Sequence, residues 1–339
     1  MSSVAALAKA PPRGPRLPGW LPAAVVALAL AAAPWLVTGY QQDLIVKIVI
    51  LAIFALSLEL LVGTTGLVSL GHAAFLGIGA YTVVLASPAE GGQAAWLAPA
   101  SVLAAAAYAL FVGALSLRTK GVYFIMVTLA FAQMAYFVFH DTKFGGGSDG
   151  IFLYVKPHLA GLDLDHARSF YYVALAALVA TYALLALLLR SRFGHALAGI
   201  RVNEQRKRAA GFRTYGYKLA AFVVAGALAG LAGFLLAVKD GVVNPELLSW
   251  HESGAVLLMI ILGGLGHLRG AVIGAAAFTL LKELYSSQAL LGPLADHWQL
   301  TLGLTIIAFV ALLPKGLIGL PARIRRTPAR PAAVEPGDD

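Results

Sequence analysis

Apolar residues run through this chain in long blocks separated by short polar or glycine-rich breaks. The blocks have the length that a membrane-crossing helix needs, about 20 residues. Read by that rule, the pattern predicts ten helical elements, over 20–38, 44–62, 72–86, 95–117, 121–139, 169–189, 218–238, 253–266, 271–284 and 298–313. The third, eighth and ninth are short, and glycine-rich breaks flank them: GTTGLVSLG at 63–71 and GGLGHLRG at 263–270. Irregular backbone is tolerated at membrane depth only where protein or water covers it, so these elements are expected to be broken or partly inserted helices. The predicted fold class is all-α, a polytopic transmembrane bundle of about ten spanning or partly spanning helices over 20–318. An N-terminal tail is expected at 1–19 and a basic, proline-rich, disordered tail at 319–339.

Composition agrees with the pattern. The chain is 60% hydrophobic and 12% charged, with a mean hydropathy of +0.81, far from the balance of a soluble domain. It has no cysteine, which excludes disulfides, thiolate nucleophiles and thiolate metal sites. The net charge of +9 bears on orientation before it bears on nucleic acid, for which no partner role is expected. Threading the chain with its N-terminus inside puts most of the 25 lysines and arginines on the inner side: Lys9, Arg13, Arg16, Arg118, Lys120, those from Arg190 to Lys218, Arg269, and those from Lys315 to Arg330. Most of the acidic residues fall on the other side. Both termini are therefore expected in the cytoplasm. Arg13 and Arg16 before an apolar run imitate a secretory signal, but no soluble domain follows, so a retained anchor is expected.

Few groups carry chemistry. No GxxxxGK[ST] phosphate loop occurs, so any ATP that drives this chain is expected on another subunit, and no cofactor of its own is expected. HLAGLDLDH at 158–166 holds His158, Asp163, Asp165 and His166, but it lacks the i, i+4 pairing of a helical metal site and reads as a solvated loop. No nucleophile with its base stands out, which disfavours an enzyme.

Within the spans the titratable residues are Lys47, Glu59 and His72. An ionisable group at membrane depth is expensive and marks a candidate site. Lys47, one turn from Asp43, is expected to pair with it or to snorkel to the outer interface. His72 is expected against protein and water at a helix break, because lipid contact would be costly for its ring. The two breaks share a Leu-Gly-His triplet, at 70–72 and 265–267, and short glycine-interrupted segments in matching halves point to a translocation path. The path candidates are Glu59, Gly66, Ser69, Gly71, His72, Gly264 and Gly266. Spans two to five and seven to ten thread in opposite directions, which predicts an inverted repeat. Gly226, Gly230 and Gly233 form a small-xxx-small pattern and are expected to pack helices closely.

The segment RSRFGHALAGIRVNEQRKRAAGFRTYGYK (190–218) is the longest inner loop, with the pattern of two short amphipathic helices. Asn203 is suited to cap the second and Gly211 to end it. A basic loop would also attract anionic lipid, but the ordered pattern favours a protein partner.

These blocks resemble the LivM-type permease subunits of branched-chain amino-acid ABC importers. The matching stretches include GLVSLGHAAFLGIGAY, KGVYFIMVTLAFAQM, GGGSDGI, FGHALAGIRVNEQRKRAAGF and SGAVLLMIILGGLGHLRGAVIGAA. The resemblance implies that the loop at about 190–217 docks on a cytoplasmic ATPase, with Gly194, Asn203, Glu204 and Gly211 at its characteristic positions. It also implies a second, LivH-type permease subunit, two ATPase subunits, and a periplasmic solute-binding protein that meets the outer loop carrying Gly146, Ser148 and Asp149. The implied location is the bacterial inner membrane. Thr64 stands where many relatives place an aromatic residue, and Arg206, Lys207 and Arg208 replace an alanine-rich stretch. Related permeases for urea, short amides and aromatic acids share most of these blocks. An ion-coupled carrier would need several midplane carboxylates, and Glu59 alone is on offer.

Overall fold

A computed structural model describes residues 30–319, apart from 38, 89–91, 160–161, 289–291 and 314. The two predicted tails and most of the first predicted span lie outside the described residues; residues 30–36 are helical. Helix α1, Tyr40–Glu59, runs directly into a π-helical turn, Leu60–Thr65. Then follow α2 (His72–Ala86), α3 (Ala94–Ser116), α4 (Val122–Asp141), α5 (Ala167–Arg190), α6 (Arg192–Val202), α7 (Glu204–Ala209), α8 (Thr214–Asp240), α9 (Trp250–Gly263), α10 (Leu268–Ser286) and α11 (Trp298–Leu312).

Among the described residues, 6 helices are long and apolar enough to cross a membrane, or up to 7 when the bent pair α9 and α10 is taken as one span. The chain is thus a polytopic all-α membrane protein, as predicted. Of the three elements expected to be short, α2 and α9 fall below span length, and α10, with 19 residues, passes as a span only jointly with α9. Helix α2 has 15 residues, and α9 and α10 meet at 115° across the break at 264–267. Glycines in left-handed or otherwise positive-φ conformations make both reversals: Gly66 at φ 76, Gly264 at φ 114 and Gly266 at φ 87.

The bundle has two ends. One gathers the turn after α1, helices α6 and α7, the α9–α10 break and the 315–319 turn, and Tyr215 Oη donates there to the Ala114 carbonyl at 2.8 Å. The other joins Asp43 to Lys239 at 3.0 Å, Tyr40 to Glu283, and Tyr81 to the Gly145 carbonyl. There β1 (Ile151–Phe152) pairs antiparallel with β4 (Val242–Val243), and β2 (His158–Leu159) pairs with β3 (Leu162–Asp163). Loops that the threading assigned to opposite faces therefore collect at opposite ends. Of the two fates expected for Lys47, pairing with Asp43 is not the one found: Asp43 pairs with Lys239 of α8, and the Lys47 side chain is exposed. A neighbouring helix brings the cation closer than the next turn of the same helix does.

Helices α1 and α8 form the centre. In the most apolar stretch of each, 78% of residues are buried, against 22% in α4 and 18% in the segment containing α11. Lipid tails are as apolar as leucine, so helices associate by close packing and not by hydrophobic exclusion. The small residues of α8 serve that packing. A Cβ at Gly226 or Gly230 would collide with Ala109 or Ala105 of α3, and one at Gly233 with the Leu76 carbonyl of α2. Gly79 of α2 in turn lies against the Gly230 backbone.

Gly233→Val is expected to destabilise the detergent-solubilised chain by about 1–3 kcal/mol through overpacking. Gly303→Ala in α11, where nothing lies within 4 Å of the added carbon, should leave stability unchanged or raised. Thermal melting of the two variants side by side checks this, and equal melting would remove α8 from its central packing role.

Candidate functional site

The site begins where α1 ends. The wide π-helical turn closes on Gly66, whose N–H donates to the Leu61 carbonyl, and Thr65 Oγ1 donates to the Leu60 carbonyl at 3.0 Å. The Gly63 carbonyl lies beyond these closures and accepts from the Arg201 guanidinium, which reaches it from the last turn of α6. Glu59, 2% exposed, folds its carboxylate over Gly63, so a Cβ at that glycine would collide with it. Glu59 Oε1 accepts the Gly266 N–H at 2.6 Å, with the His267 backbone and the Arg201 charge close by. Gly264 is buried against the Lys315 carbonyl and Ile318. The two glycine breaks, 200 residues apart in sequence, therefore touch through a carboxylate and share a guanidinium from a third segment.

The start of α2 is a second polar knot. Ser69 Oγ accepts the Gly71 N–H at 3.2 Å, and Ser253 Oγ, from α9, accepts the Ala73 N–H at 2.9 Å. A Cβ at Gly71 would collide with the Thr128 carbonyl of α4. His72 has no exposed surface: its ring stacks on Phe54, meets Phe75 edge-on, and places Nε2 at 2.8 Å from Ser57 Oγ. The Ser57 hydroxyl spends its hydrogen on the Phe54 carbonyl at 2.6 Å, so it accepts from His72 Nε2–H, and Nδ1 is left as an acceptor with no donor among the described residues. The expected contact of His72 with water is thus replaced by an aromatic cage between α1 and α2.

The loop between α5 and α8 is ordered. Ser191 caps α6, and a Cβ at Gly194 would collide with the Leu189 backbone, so α6 lies tight against the end of α5. Leu197 and Ile200 bury the apolar face of α6. Asn203 caps α7 by accepting the Arg206 N–H at 2.9 Å, and Gly211 follows at φ 85, a left-handed turn that a side chain would strain. Glu204 Oε1 accepts from Arg208 at 2.7 Å, Lys218 Nζ at 3.0 Å and Thr214 Oγ1 at 3.0 Å. Partial burial pushes the Glu204 carboxyl up, but the hydrogen bond and charge of Lys218, the Thr214 hydroxyl and the Arg208 charge outweigh it and hold the group below its ordinary range. Val202, 85% exposed, stands with Asn203, Gln205 and Arg206 on the outer surface of the α6–α7 elbow.

Of the residues singled out from sequence, Glu59, Gly66 and Gly266 come together with Arg201; Ser69, Gly71 and His72 form the α2 knot; Gly194, Asn203, Glu204 and Gly211 shape the loop. Gly146, Ser148 and Asp149 are exposed at the opposite end of the bundle, where Ser148 bonds Asp149 at 3.2 Å. Sequence reasoning missed Arg201, Ser57, Ser253 and the pairing role of Lys218. Arg201 was hidden among other basic residues of the loop, and the two serines sit in apolar helices where nothing local distinguishes them.

Residues 41–311 match the family model described as the branched-chain amino acid transport system / permease component. The chain is 30% identical over 319 residues to the high-affinity branched-chain amino acid transport system permease protein LivM of Escherichia coli K12, covering 87% of this chain and 74% of that protein. It is 30% identical over 316 residues to LivM of Salmonella typhimurium LT2, covering 86% and 73%. No solved structure gives a significant match.

Glu204→Gln is expected to loosen α7 even without any partner present, because it leaves Lys218, whose side chain is 7% exposed, without its carboxylate. The cost is about 1–3 kcal/mol, discounted for the partial exposure of Glu204. Limited trypsin digestion of the solubilised chain should cut faster at Arg206, Lys207, Arg208 and Arg213 than in the parent. The same loosening should appear in the parent only as the pH falls through the depressed pKa of Glu204, since a carboxylate held low in the fold contributes its stability above that range. Unchanged cleavage would make Glu204 a contact for other proteins and not an internal bracket.

Proposed function

The chain belongs to the branched-chain amino acid transport permease family, and we propose that it is one of two permease subunits in an ATP-driven importer of branched-chain amino acids. ATP is bound and hydrolysed on two separate cytoplasmic ATPase subunits, a soluble binding protein delivers the solute, and this chain holds no cofactor of its own. The observation that carries this reading is the ordered α6–α7 elbow, placed at the same end as both glycine breaks and joined to them by Arg201.

We place that end in the cytoplasm of a bacterial inner membrane. Arg118, Lys120, the basic residues from Arg190 to Lys218, Arg269 and Lys315 gather there, which is the sense of the positive-inside asymmetry. The exposed face of Val202, Gln205 and Arg206 then meets an ATPase, while Glu204 and Gly211 keep the elbow in shape. The loop of Gly146, Ser148 and Asp149 faces outward, where the binding protein docks. The path candidates Gly66, Gly264 and Gly266 lie at the inner end, and His72, Ser69 and Gly71 fix the geometry of the helix break above it.

A branched-chain amino acid is a zwitterion, and tight recognition needs fixed partners for both its charges and an apolar pocket. Glu59 Oε1 already accepts the Gly266 N–H, and Arg201, the cation beside it, is spent on the Gly63 carbonyl. Discrimination therefore falls to the binding protein.

The reconstituted four-subunit complex with binding protein should accumulate leucine, isoleucine and valine only when ATP is supplied. Preference for urea, short amides or aromatic acids would change the substrate, and gradient-driven uptake by this chain without ATPase subunits would make it a secondary carrier. Calorimetry on the permease pair alone should give a dissociation constant weaker than about 1 μM, equivalent to about −8 kcal/mol. Tighter binding would place a strong intrinsic site in the membrane.

A further inference from the structure

Arg201 leaves the 191–213 loop to do two things at the broken end of α1. Its guanidinium donates to the Gly63 carbonyl, and its aliphatic stem lies under Gly66, where an added Cβ would stand 3.2 Å from Arg201 Cγ. A Cβ at Gly266 would stand 3.9 Å from Arg201 Nη1, so the second break passes beside the same side chain. Glu59, on the last turn of α1 before the π segment, holds Gly266 from the other side. The carboxylate and the guanidinium thus meet the same two backbone segments, the turn at Gly63 and the break at Gly266.

Helix α6 is well placed to move Arg201 as part of a rigid body. Its inner face is buried through Leu197 and Ile200, its start is fixed against Leu189, and α7 is braced on α8 by Glu204. A push on the exposed elbow reaches Arg201 directly through its neighbour Val202 at the end of α6, and from Arg206 across the Asn203 cap that joins α7 to α6. A π-helical turn is a less favourable ladder than an α-helical one and recurs at functional sites, so the end of α1 is where a small displacement finds least resistance.

We propose that Arg201 is the positioning residue through which the loop drives both glycine breaks together, with Glu59 locking the second break to the first. This rests on the reading of the elbow as the ATPase-docking element. The competing role is a plain cap on the last carbonyls of α1, which arginine also fills.

The test uses the assembled transporter with cysteine-free partner subunits; this chain has no cysteine of its own. Leu265, exposed in the second break, is replaced by cysteine, and its labelling by water-soluble maleimide is compared between nucleotide-free and vanadate-trapped complexes. In the otherwise unaltered complex the labelling rate should change on trapping. With Arg201→Gln the complex should still assemble and trap nucleotide, the change in labelling should vanish, and solute moved per ATP should fall about tenfold. Arg201→Lys keeps the charge and a donor but not the planar fork, and should recover part of both signals. A normal labelling change and a normal transport ratio in Arg201→Gln would overturn the proposal. So would failure of both variants to assemble, which leaves only the cap, or labelling of Leu265→Cys that ignores nucleotide in the unaltered complex. A complex with native Arg201 that accumulates no solute with ATP defeats the importer reading itself, and the role of Arg201 falls with it.

Discussion

A helix that stops inside an apolar bundle exposes carbonyls and amides that lipid cannot satisfy, and each must find a partner from protein. The end of α1 meets this constraint with charge. The Gly63 carbonyl takes the Arg201 guanidinium, and the Glu59 carboxylate takes the Gly266 amide. Glu59 is 2% exposed, whereas the Arg201 side chain is exposed and reaches its carbonyl from the surface of the bundle. Their joint presence fixes where α1 ends, where α9 turns into α10, and how α6 lies beneath both. Glycine at 63 follows from the same constraint, because the carboxylate occupies the space a side chain would need.

The close packing of α8 complements this arrangement. Gly226, Gly230 and Gly233 bring α8 close against alanines and backbone of α3 and the backbone of α2, with Phe75 of α2 packed edge-on against Phe222, so the short α2 is held by its neighbours. Its first residues are held separately, by Ser253 from α9, by Ser57 from α1, and by the Thr128 backbone of α4 against Gly71. A helix that begins in mid-bundle thus depends on several others for its cap. Side chains that cap it have no counterpart in a continuous span.

Much of the fold was legible in the sequence because apolar block length and glycine-rich interruption are local signals. The breaks at 63–71 and 263–270, the short α2 and the two-helix loop with its Asn203 cap could be read from composition and spacing. What could not be read was which distant groups meet. Nothing near Glu59 announces Gly266, and nothing near Arg201 separates it from the exposed cations that follow it. The Lys47–Asp43 pairing was a reasonable local inference that lost to a tertiary one, since Lys239 arrives beside Asp43 from α8. Glu204 was recognised as important through resemblance, but its three internal partners became evident only when α7 was placed against α8. The count of spans was the least legible feature, because hydropathy alone does not distinguish a helix that crosses from one that bends back.

Two charged residues of the loop now have separate work. Glu204 gathers Arg208, Thr214 and Lys218 and so determines the shape of the elbow, while Arg201 fixes where the elbow grips the bundle. The basic run at 206–208 divides accordingly. Arg208 is consumed inside the loop, Lys207 lies over the Phe212 ring at 4.6 Å, and Arg206 remains exposed on the outer surface. The run thus adds one member, Arg208, to the internal bracket and one exposed charge, Arg206, to the outer surface. The exposed surface can therefore diverge while the bracket of Glu204 and the grip of Arg201 stay constrained, because the first faces solvent, Glu204 answers to Lys218 and Thr214 of α8, and Arg201 answers to a backbone carbonyl at the end of α1.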